Sequence, residues 1–525
     1  GPLHKGTLPP NIEIIEFFFL AGRWLSSPRA QQNYISANYT HALGAILDRK
    51  PNVLAQIVAR RGEGDGATVS LSCNPDLTPD LLKAREEGLI NPLLVMEVNG
   101  NLPFMDGDAA YPESMADHVL EGANWPLFAP PREPVSPTDH AIGLQIARLI
   151  PDGGTLQIGI GSIGDAVAAG LILRHQRPGD FHDAVMALEQ NRPTGTSHLS
   201  AFREGLFGAS EMFVPAFLDL MEAGVLSREV DGACLQAGFF LGPTDFYQRL
   251  RDMPDQERAR IAMRPVSYVN ELYGPEDEKR RARVNARFVN SGMMATLMGA
   301  VVSDGLEDGR VVSGVGGQYN FVAQAFALEG ARSIIAIRAT REGPKGTESN
   351  IRWSYGHTTI PRHLRDIVVT EYGVADLRGK SDADVIAAML AVTDSRFQRE
   401  LIETAIKAGK LPGDFELDPR FRSNTPEALA ARLSDAEARG DLPPFPFGTD
   451  FTETEQRLMP ALALMRDASA SMTGVLRLAQ AGVFGRPDPQ EDACLDRMAM
   501  TRPATWRDRL YATLLRGAIR QTSII

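Results

Sequence analysis

The sequence is poor in cysteine and has no long apolar segment. Its three cysteines, Cys73, Cys234 and Cys494, lie too far apart for a disulfide framework or a metal cluster, which fits a reducing cytoplasm. The most apolar stretches, residues 12–22 and 293–302, are shorter than the ~18 residues that a membrane-spanning helix needs. The chain opens with Gly-Pro-Leu-His, and no signal peptide is visible. We therefore expect a cytoplasmic protein without a membrane partner.

An excess of positive charge is also missing. The 525 residues include 54 Lys and Arg against 66 Asp and Glu, which gives a formal net charge of −12 at pH 7. This balance argues against nucleic acid or an anionic membrane as the main partner, but it is compatible with a local basic pocket for an anionic ligand. The length and the 43% share of hydrophobic residues predict a globular protein of two or three domains.

Metal and nucleotide motifs are incomplete. His357 and His363 lie six residues apart, share no helix face and have no third metal ligand near them, so no metal site is predicted. Residues 343–347, Gly-Pro-Lys-Gly-Thr, lack the spacing of a phosphate-binding Walker loop and are interpreted as a surface turn.

What the sequence does contain is a repeated glycine turn. Residues 152–168 read DGGTLQIGIGSIGDAVA, and residues 307–323 read EDGRVVSGVGGQYNFVA. In this alignment Gly159 and Gly161 correspond to Gly314 and Gly316. Each copy predicts a short apolar strand, a Gly-x-Gly bend and a helix, where glycines allow close approach of a ligand and the helix start offers free N–H groups. Two such turns predict a pair of related α/β halves that face a common cleft.

The first turn leaves three interpretations open. Gly159-x-Gly161-x-x-Gly164 matches a dinucleotide fingerprint, but the acidic residue at the expected distance, Asp180, does not follow a strand-like run. A purely structural turn is the second interpretation. A turn that binds coenzyme A or another phosphate-bearing ligand is the one we favour.

Glu211 is the candidate for acid–base chemistry. It lies among apolar residues in the segment 208–213, and such surroundings raise the pKa of a carboxyl group. The alternative, a carboxylate at a helix start or in an ion pair, stays open.

The order of elements predicts an α/β fold with a helical end. Strand-like and helical patterns alternate up to about residue 425, and β signals vanish beyond it. We predict an N-terminal α/β domain over residues 1–232, a second α/β domain over 233–425, and a helical extension over 426–525. The fold class is thus α/β, with two open-sheet halves facing a central cleft.

Several motifs resemble those of a known family. Residues 156–167 are similar to LQxGIGxxxxAV and residues 210–212 to Ser/Thr-Glu-Met. Residues 313–321 are similar to SGxGGQxDF, with Asn320 in place of Asp, and residues 369–379 match VTEYGVADLRG. Over roughly residues 90–410 the chain resembles the acetyl-CoA hydrolase/transferase family, the class I CoA-transferases that include 4-hydroxybutyrate and succinate:acetate CoA-transferases.

The resemblance implies a fold, substrates and an assembly. It implies two CoA-transferase-type halves, short-chain acyl-CoA thioesters as substrates, a carboxylate acceptor and no tightly bound cofactor. It also implies a homo-oligomer, most simply a dimer. The candidate ligands of coenzyme A are Gly159, Gly161, Gly314, Gly316, Gly317, Gln318 and Asn320.

The chain departs from the family at the catalytic position. Family members form a glutamyl-CoA thioester on the Glu of an NSAxEVDLxG segment, which here is residues 290–299, with Met294 at the Glu position and Thr296 at the Asp position. A thioether cannot form the acyl anhydride, so hydrolysis is favoured over transfer, with water activated by Glu211 before Glu371. A non-catalytic acyl-CoA binder and a transferase that uses a Glu from another position remain alternatives.

Overall fold

The computed structural model describes residues 7–191, 195–343, 346–469 and 471–522 as a mixed α/β protein. Contacts within the chain divide it into two compact units. The first comprises residues 1–340 and 349–447, and the second comprises residues 341–348 and 448–525.

The elements alternate through the first unit, and the second unit consists of helices together with the short strands Thr340–Gly343 and Gly346–Ser349. The strands are β1 Val53–Arg61, β2 Thr68–Ser70, β3 Leu93–Val98, β4 Ala110–Pro112, β5 His118–Glu121, β6 Thr155–Gln157, β7 Phe207–Phe213, β8 Leu235–Phe240, β9 Ile261–Met263, β10 Arg287–Ser291, β11 Met294–Thr296, β12 Val301–Val302, β13 Arg332–Ala336, β14 Thr340–Gly343, β15 Gly346–Ser349, β16 Ile351–Arg352, β17 Ile367–Thr370 and β18 Gly373–Asp376. The α-helices are Pro28–Gln32, Tyr39–Asp48, Thr78–Glu86, Pro137–Ala147, Ser162–Gln176, Pro178–Leu188, Ala216–Glu222, Thr244–Asp252, Asp255–Arg258, Val266–Val269, Glu276–Ala282, Gln318–Ala327, Asp382–Ala391, Ser395–Lys407, Pro426–Ala438, Glu453–Ala468, Met472–Phe484, Glu491–Arg497 and Trp506–Thr522.

An eight-stranded sheet forms the centre of the first unit. Its order is β18-β17-β13-β10-β6-β7-β8-β9, and all neighbours are parallel except the edge strand β18. Strands β6 and β17 are buried along their whole length, as expected when helices cover both faces of a parallel sheet. Ligands of such sheets bind at the carboxyl ends of the strands, so this edge is where a site is expected.

The predicted fold class is confirmed, and the sheet adds a detail. Strands from both sides of residue 232 join in one sheet, because β6 pairs with β10, where Arg287 lies opposite Leu156. A second, five-stranded sheet of order β4-β2-β1-β3-β5 belongs to the N-terminal part of the chain. The division at residues 232 and 425 stays a prediction.

The strand predicted before the second glycine turn was wrong. Residue Val311 forms only an isolated bridge with Gly305, and no strand lies between β12 and the turn. The reason is that the backbone of this segment bonds elsewhere. The Gln31 side chain accepts from Val311 N at 2.8 Å and donates to Val311 O at 2.9 Å, while Gly22 N donates to Val312 O at 2.8 Å.

Helix termini follow the local signals in the sequence. The Ser381 side chain accepts from the Asp384 N–H at the start of helix Asp382–Ala391, and Gly409 has the positive φ of +67° that ends helix Ser395–Lys407. Thr452 and Glu455 form the predicted capping box.

The second unit has its own apolar core. Helices Met472–Phe484 and Trp506–Thr522 approach so closely that a Cβ atom on Gly517 would be 1.9 Å from the Leu478 carbonyl oxygen. Leu478, Cys494, Leu515 and Ile519 are buried between its helices. Among the described helices of the whole chain, none is long and apolar enough to cross a membrane.

Candidate active site

The Glu211 carboxylate on β7 lies against the second glycine turn. A Cβ atom placed on Gly317 would be 1.9 Å from Glu211 Oε2, and one on Gly316 would be 3.1 Å from Glu211 Oε1. A side chain at Gly317 would collide with the carboxylate, so glycine is required there for a close approach rather than for a turn angle. The fold thus brings together two features that the sequence analysis identified separately.

Asn270 holds this carboxylate from the other side. Its side-chain N–H donates to Glu211 Oε2 at 2.5 Å, and Asn270 itself is fully buried at the end of helix Val266–Val269. The backbone carbonyl of Asn270 accepts from the Gln324 side chain at 2.7 Å, which ties it to the helix that follows the glycine turn. Asn270 therefore fixes the orientation of Glu211 relative to the turn.

A second acid lies near this pair. The Tyr39 hydroxyl donates to Asp76 Oδ2 at 2.5 Å, and the Tyr39 backbone N–H donates to the Gly316 carbonyl oxygen at 3.0 Å. The Asp76 carbonyl oxygen in turn accepts from Val266 N at 2.9 Å, at the start of the helix that carries Asn270. Tyr39 and Asp76 thus connect the glycine turn to the support of Glu211.

The surroundings raise the pKa of Glu211 towards neutral pH. Burial raises the pKa of Glu211 from 4.5 to about 7, the hydrogen bond from Asn270 opposes this shift, and the negative charge of Asp76 adds to it. Burial also raises the pKa of Asp76, although the Tyr39 hydroxyl lowers it in part. The Glu211 side chain is still partly exposed, so solvent or a substrate can reach it. A partly exposed carboxylate with such a pKa can accept a proton at neutral pH.

The first glycine turn is open. A Cβ atom at Gly159 or Gly161 would meet no heavy atom within 4 Å, and the neighbouring Ile160 is 53% exposed. Gly161 has a φ of +114°, which only glycine adopts without strain, and it precedes helix Ser162–Gln176 without a side-chain cap. Gly164 has a different function, because its Cβ would lie 2.1 Å from the Gly159 carbonyl oxygen. The third glycine of the fingerprint thus allows the helix to pack on the turn.

Side-chain hydrogen bonds connect both turns to one edge of the sheet. Ser210 Oγ, next to Glu211, donates to the Ile158 carbonyl oxygen of the first turn at 3.3 Å. Gln318 Nε2, next to the second turn, donates to the Ser291 carbonyl oxygen at the end of β10 at 3.0 Å. Both turns therefore lie at the carboxyl ends of parallel strands, where the fold class places ligands.

Three buried amide oxygens at this edge lack hydrogen-bond donors. They are Gln318 Oε1, Asn320 Oδ1 and Asn270 Oδ1, and none has a partner among the described residues. The amino group of Gln318 donates to Ser291 and that of Asn320 donates to Thr40 Oγ1 at 3.1 Å. Because a buried acceptor without a donor costs free energy, these oxygens are suited to receive N–H or O–H groups of a ligand.

Glu371 lies apart from the second turn. It follows β17 and is 4% exposed, and its Oε2 accepts from the Ala339 N–H at 2.8 Å. Burial raises the pKa of Glu371 to about 7, and the hydrogen bond from Ala339 opposes the shift. Its neighbour Arg338 binds Asp139 and donates to Ser162 Oγ at 3.1 Å, at the helix start of the first turn. Glu371 is thus held by the backbone after β13 and is much less accessible than Glu211.

Met294 lies in strand β11 and is buried. It pairs with Val302 of β12 in a small three-stranded sheet, and only 1% of it is exposed. Thr296 Oγ1, two residues on, accepts from the Ala300 N–H at 3.0 Å and closes the turn between these strands. Met294 and Thr296 therefore both contribute to the pairing of β11 with β12.

An N-terminal segment covers part of the second turn. The Phe19 carbonyl oxygen accepts from Gly314 N at 3.2 Å, and a Cβ atom on Gly314 would be 2.4 Å from Phe18 Cδ2. The sequence analysis assigned Gly314 to coenzyme A, but an aromatic ring of the same chain lies against this glycine. The assignment of Gly314 to coenzyme A stays a prediction, and the Phe18 ring occupies space beside this glycine that a ligand would need.

Sequence reasoning missed four residues of this site. Asn270, Asp76, Tyr39 and Phe18 carry no motif, and only Asp76 had a signal, because it follows a predicted strand in an Asn-Pro-Asp turn. The others reach the site through long-range contacts that no local pattern reveals.

Known proteins resemble this chain in sequence. Residues 242–405 match the acetyl-CoA hydrolase/transferase C-terminal domain. The chain is similar to the 4-hydroxybutyrate coenzyme A transferase of Clostridium kluyveri, with 30% identity over 59% of this chain and 64% of the relative. It is also similar to the succinyl-CoA:cyclohexane-1-carboxylate CoA transferase of Geobacter metallireducens, with 26% identity over 71% of this chain and 76% of the relative.

Solved structures show the same fold. The crystal structure of RipA from Yersinia pestis has a TM-score of 0.60 and 25% identity, and the match covers 76% of this chain and 82% of RipA. The 4-hydroxybutyrate CoA-transferase of Porphyromonas gingivalis has a TM-score of 0.54 and 24% identity over 76% of this chain and 87% of that one, which supports the fold alone. Residues 242–405 thus match one domain of the acetyl-CoA hydrolase/transferase family, and the chain is similar to CoA-transferases over a larger region. Its match spans less than two thirds of the Clostridium kluyveri relative, at 64%.

Proposed function

We propose that this protein acts on short-chain acyl-CoA thioesters and favours hydrolysis over transfer to a carboxylate. The observation that carries the proposal is the Glu211 carboxylate, partly exposed and fixed by Asn270 against Gly316 and Gly317. Its pKa of about 7 suits a group that takes a proton from water at neutral pH.

The backbone of the second turn supplies the complementary electrophilic groups. In the described parts of the chain the N–H groups of Gly316 and Gly317 donate to no backbone carbonyl, and the Cβ positions of both glycines lie next to the Glu211 carboxylate. N–H groups of this kind stabilise the negative charge that develops on a thioester oxygen during attack. Glu211 removes a proton from water, and the water oxygen attacks the thioester carbon. The C–S bond then breaks, the proton on Glu211 passes to the sulfur, and the products are coenzyme A thiol and the free carboxylic acid.

The coenzyme moiety has a candidate binding surface at the open first turn. Gly159 and Gly161 leave room for close approach, and the helix that begins at Ser162 presents N–H groups without a side-chain cap. The buried amide oxygens of Gln318 and Asn320 are suited to donors of the pantetheine arm.

The experiment is a thiol-release assay on acetyl-CoA and butyryl-CoA, with and without added acetate. We expect release without acetate, and a loss of about 10²–10⁴-fold in Glu211→Gln, because an amide of the same shape cannot accept the proton. Glu371→Gln is the matched control and is expected to lose less than tenfold. If Glu371→Gln is the inactive variant and Glu211→Gln is not, the assignment of the base is wrong.

Transfer with Glu211 as the nucleophile is the second candidate. It is favoured by the relatives, which are named as CoA transferases, and by the position of a carboxylate at the glycine turn. Turnover that requires an added carboxylate acceptor would support it over hydrolysis. An acyl-CoA binder without turnover would bind both thioesters and release no thiol.

A further inference from the structure

Three consecutive phenylalanines at the N-terminus are used in two different ways. Phe19 is 2% exposed and packs against Tyr34, with 4.8 Å between ring centroids, and Phe17 packs against Tyr39 at 5.1 Å. Phe18 lies between these anchored rings and is 48% exposed. A single exposed apolar side chain needs no explanation, so its position has to be examined before it is given a role.

The backbone of this segment is fixed to the second glycine turn. Gly22 N donates to the Val312 carbonyl oxygen at 2.8 Å, and the Phe19 carbonyl oxygen accepts from Gly314 N at 3.2 Å. The Ser313 hydroxyl donates to the same oxygen at 3.3 Å. Phe18 is thus held beside the turn by hydrogen bonds of the residues that follow it.

The Phe18 ring and the Glu211 carboxylate share one side of Gly316. A Cβ atom at Gly316 would be 3.1 Å from Glu211 Oε1 and 3.6 Å from Phe18 Cε2. On Gly314 the ring is closer still, with Cδ2 at 2.4 Å and Cγ at 2.8 Å from the Cβ position. A thioester carbon that comes within reach of water on Glu211 therefore lies near this ring.

The charges around Glu211 are acidic. The charged residue that perturbs the pKa of Glu211 is Asp76, and its hydrogen-bond donor is the neutral amide of Asn270. An acyl group with a free carboxylate would lie near an aromatic ring and two acids. The described neighbours of Glu211 include no cation that could pair with this carboxylate. The same surroundings favour an uncharged aliphatic acyl group.

We propose that Phe18 forms the acyl-facing wall of the site and selects short, uncharged acyl groups over longer and over dicarboxylic ones. This inference rests on the proposed function, because it assumes that the acyl-CoA thioester lies at Glu211. Phe18 acts by contact and shape, and it takes no part in proton transfer.

Binding of non-hydrolysable acyl-CoA analogues tests the inference independently of turnover. The probes are the ketone (dethia) analogues of acetyl-CoA, butyryl-CoA, hexanoyl-CoA and succinyl-CoA, measured by titration calorimetry on the full chain. For the wild type we expect butyryl to bind at least tenfold tighter than succinyl. Phe18→Ala is expected to shift the preference for hexanoyl over acetyl by about tenfold, since one to several methylenes then fit where the ring was.

Two variants control for folding and position. Phe18→Leu keeps an apolar side chain on the segment and is expected to give a smaller shift in the same direction. Phe326→Ala removes another partly exposed phenylalanine, whose ring contacts Arg378 instead of the turn, and is expected to leave the preference unchanged.

The outcomes separate the two proposals. If Phe18→Ala changes the binding preference but the wild type releases no thiol from acetyl-CoA, the result supports the wall and contradicts the proposed hydrolysis. A preference within twofold of the wild type in Phe18→Ala and Phe18→Leu overturns the wall, and so does equal binding of succinyl and butyryl analogues. Binding of no analogue by the folded wild type overturns both proposals.

Discussion

The two glycine turns have matching spacing but different surroundings. A Cβ atom added at Gly159 or Gly161 would contact nothing within 4 Å, whereas one at Gly317 would lie 1.9 Å from Glu211 Oε2 and 2.4 Å from Asn270 Nδ2. In the first turn the missing side chains leave space for a ligand. In the second turn they make space for the protein's own carboxylate and for the Phe18 ring. A glycine motif therefore indicates a close approach to the backbone, but it does not distinguish a ligand from a side chain as the approaching group.

The different surroundings of the two turns suggest different roles in the proposed reaction. Chemistry is expected at the second turn, where the base and its amide partner are fixed, and coenzyme binding is expected at the first. The predictions below test this difference from the largest expected effect to the smallest.

The largest effect is expected from a side chain at Gly317. Gly317→Val should reduce thiol release by more than about 100-fold, because the new side chain displaces Glu211 and Asn270 from their hydrogen bond, and overpacking of this kind costs about 1–3 kcal/mol of folding free energy. Gly159→Val is the matched control, with nothing within 4 Å of its Cβ position. It should leave the melting temperature of the free protein within about 1–2 °C, since surface changes of this kind are within about 0.5 kcal/mol.

The melting temperatures of both variants and the turnover rate of Gly317→Val are the measurements. If both variants melt alike, the second turn is not filled in solution as it is in the structure. Normal activity in Gly317→Val would contradict the proposed role of Glu211 in the reaction.

The next effect concerns pH. In the proposed reaction Glu211 acts in its ionised form, and its pKa is raised to about 7, so kcat/KM should fall about tenfold per pH unit below 7 and level off above it. Stability has the opposite dependence. A carboxyl group with a raised folded-state pKa contributes stability that is complete below pH 4.5 and is lost as the pH rises through 7.

Glu211→Gln should therefore gain stability relative to the wild type between pH 5 and pH 8, by an amount on the order of 1–3 kcal/mol. Glu371→Gln provides the comparison, since burial raises the pKa of Glu371 to about 7 as well. It should gain stability over the same range and keep the acidic limb of the rate profile. Loss of that limb in Glu371→Gln instead would transfer the role of base to Glu371.

Local patterns in the sequence predicted much of the fold, and the site only in part. Strand β3, the capped helix after Ser381 and the helical end of the chain follow from periodicity and from residues at element ends. The strand before the second turn failed because Gln31 and Gly22, almost 300 positions away, take up its backbone groups. Glu211 was selected as a candidate because it is a lone acid among apolar residues, and its role stays a prediction. Asn270 and Phe18 were not selected, because their importance depends on contacts between segments that are distant in sequence.

A smaller effect is expected from coenzyme A on thermal stability. Any ligand of the native state raises the melting temperature by mass action, so millimolar coenzyme A should raise it by a few degrees. Gly159→Val should abolish this shift while the free protein melts normally, since the new side chain fills the open space of the first turn. A persisting shift in Gly159→Val would place coenzyme A elsewhere, and no shift in the folded wild type would contradict the coenzyme assignment as a whole.

The smallest expected effect is no change in mass. If water is the attacking group, incubation with acetyl-CoA followed by borohydride or hydroxylamine trapping leaves the intact mass of the protein unchanged, because no acyl or thioester bond to the chain forms. Met294 lacks a carboxylate and is buried in β11, so it offers no alternative site for the adduct. Glu211 does offer one, which makes the experiment decisive between water attack and a glutamyl thioester. A CoA-sized increment on the peptide that contains Glu211 would show that this carboxylate acts as a nucleophile instead of as a base. Loss of that increment in Glu211→Gln, with retention in Glu371→Gln, would then assign the transferase reaction to the second turn.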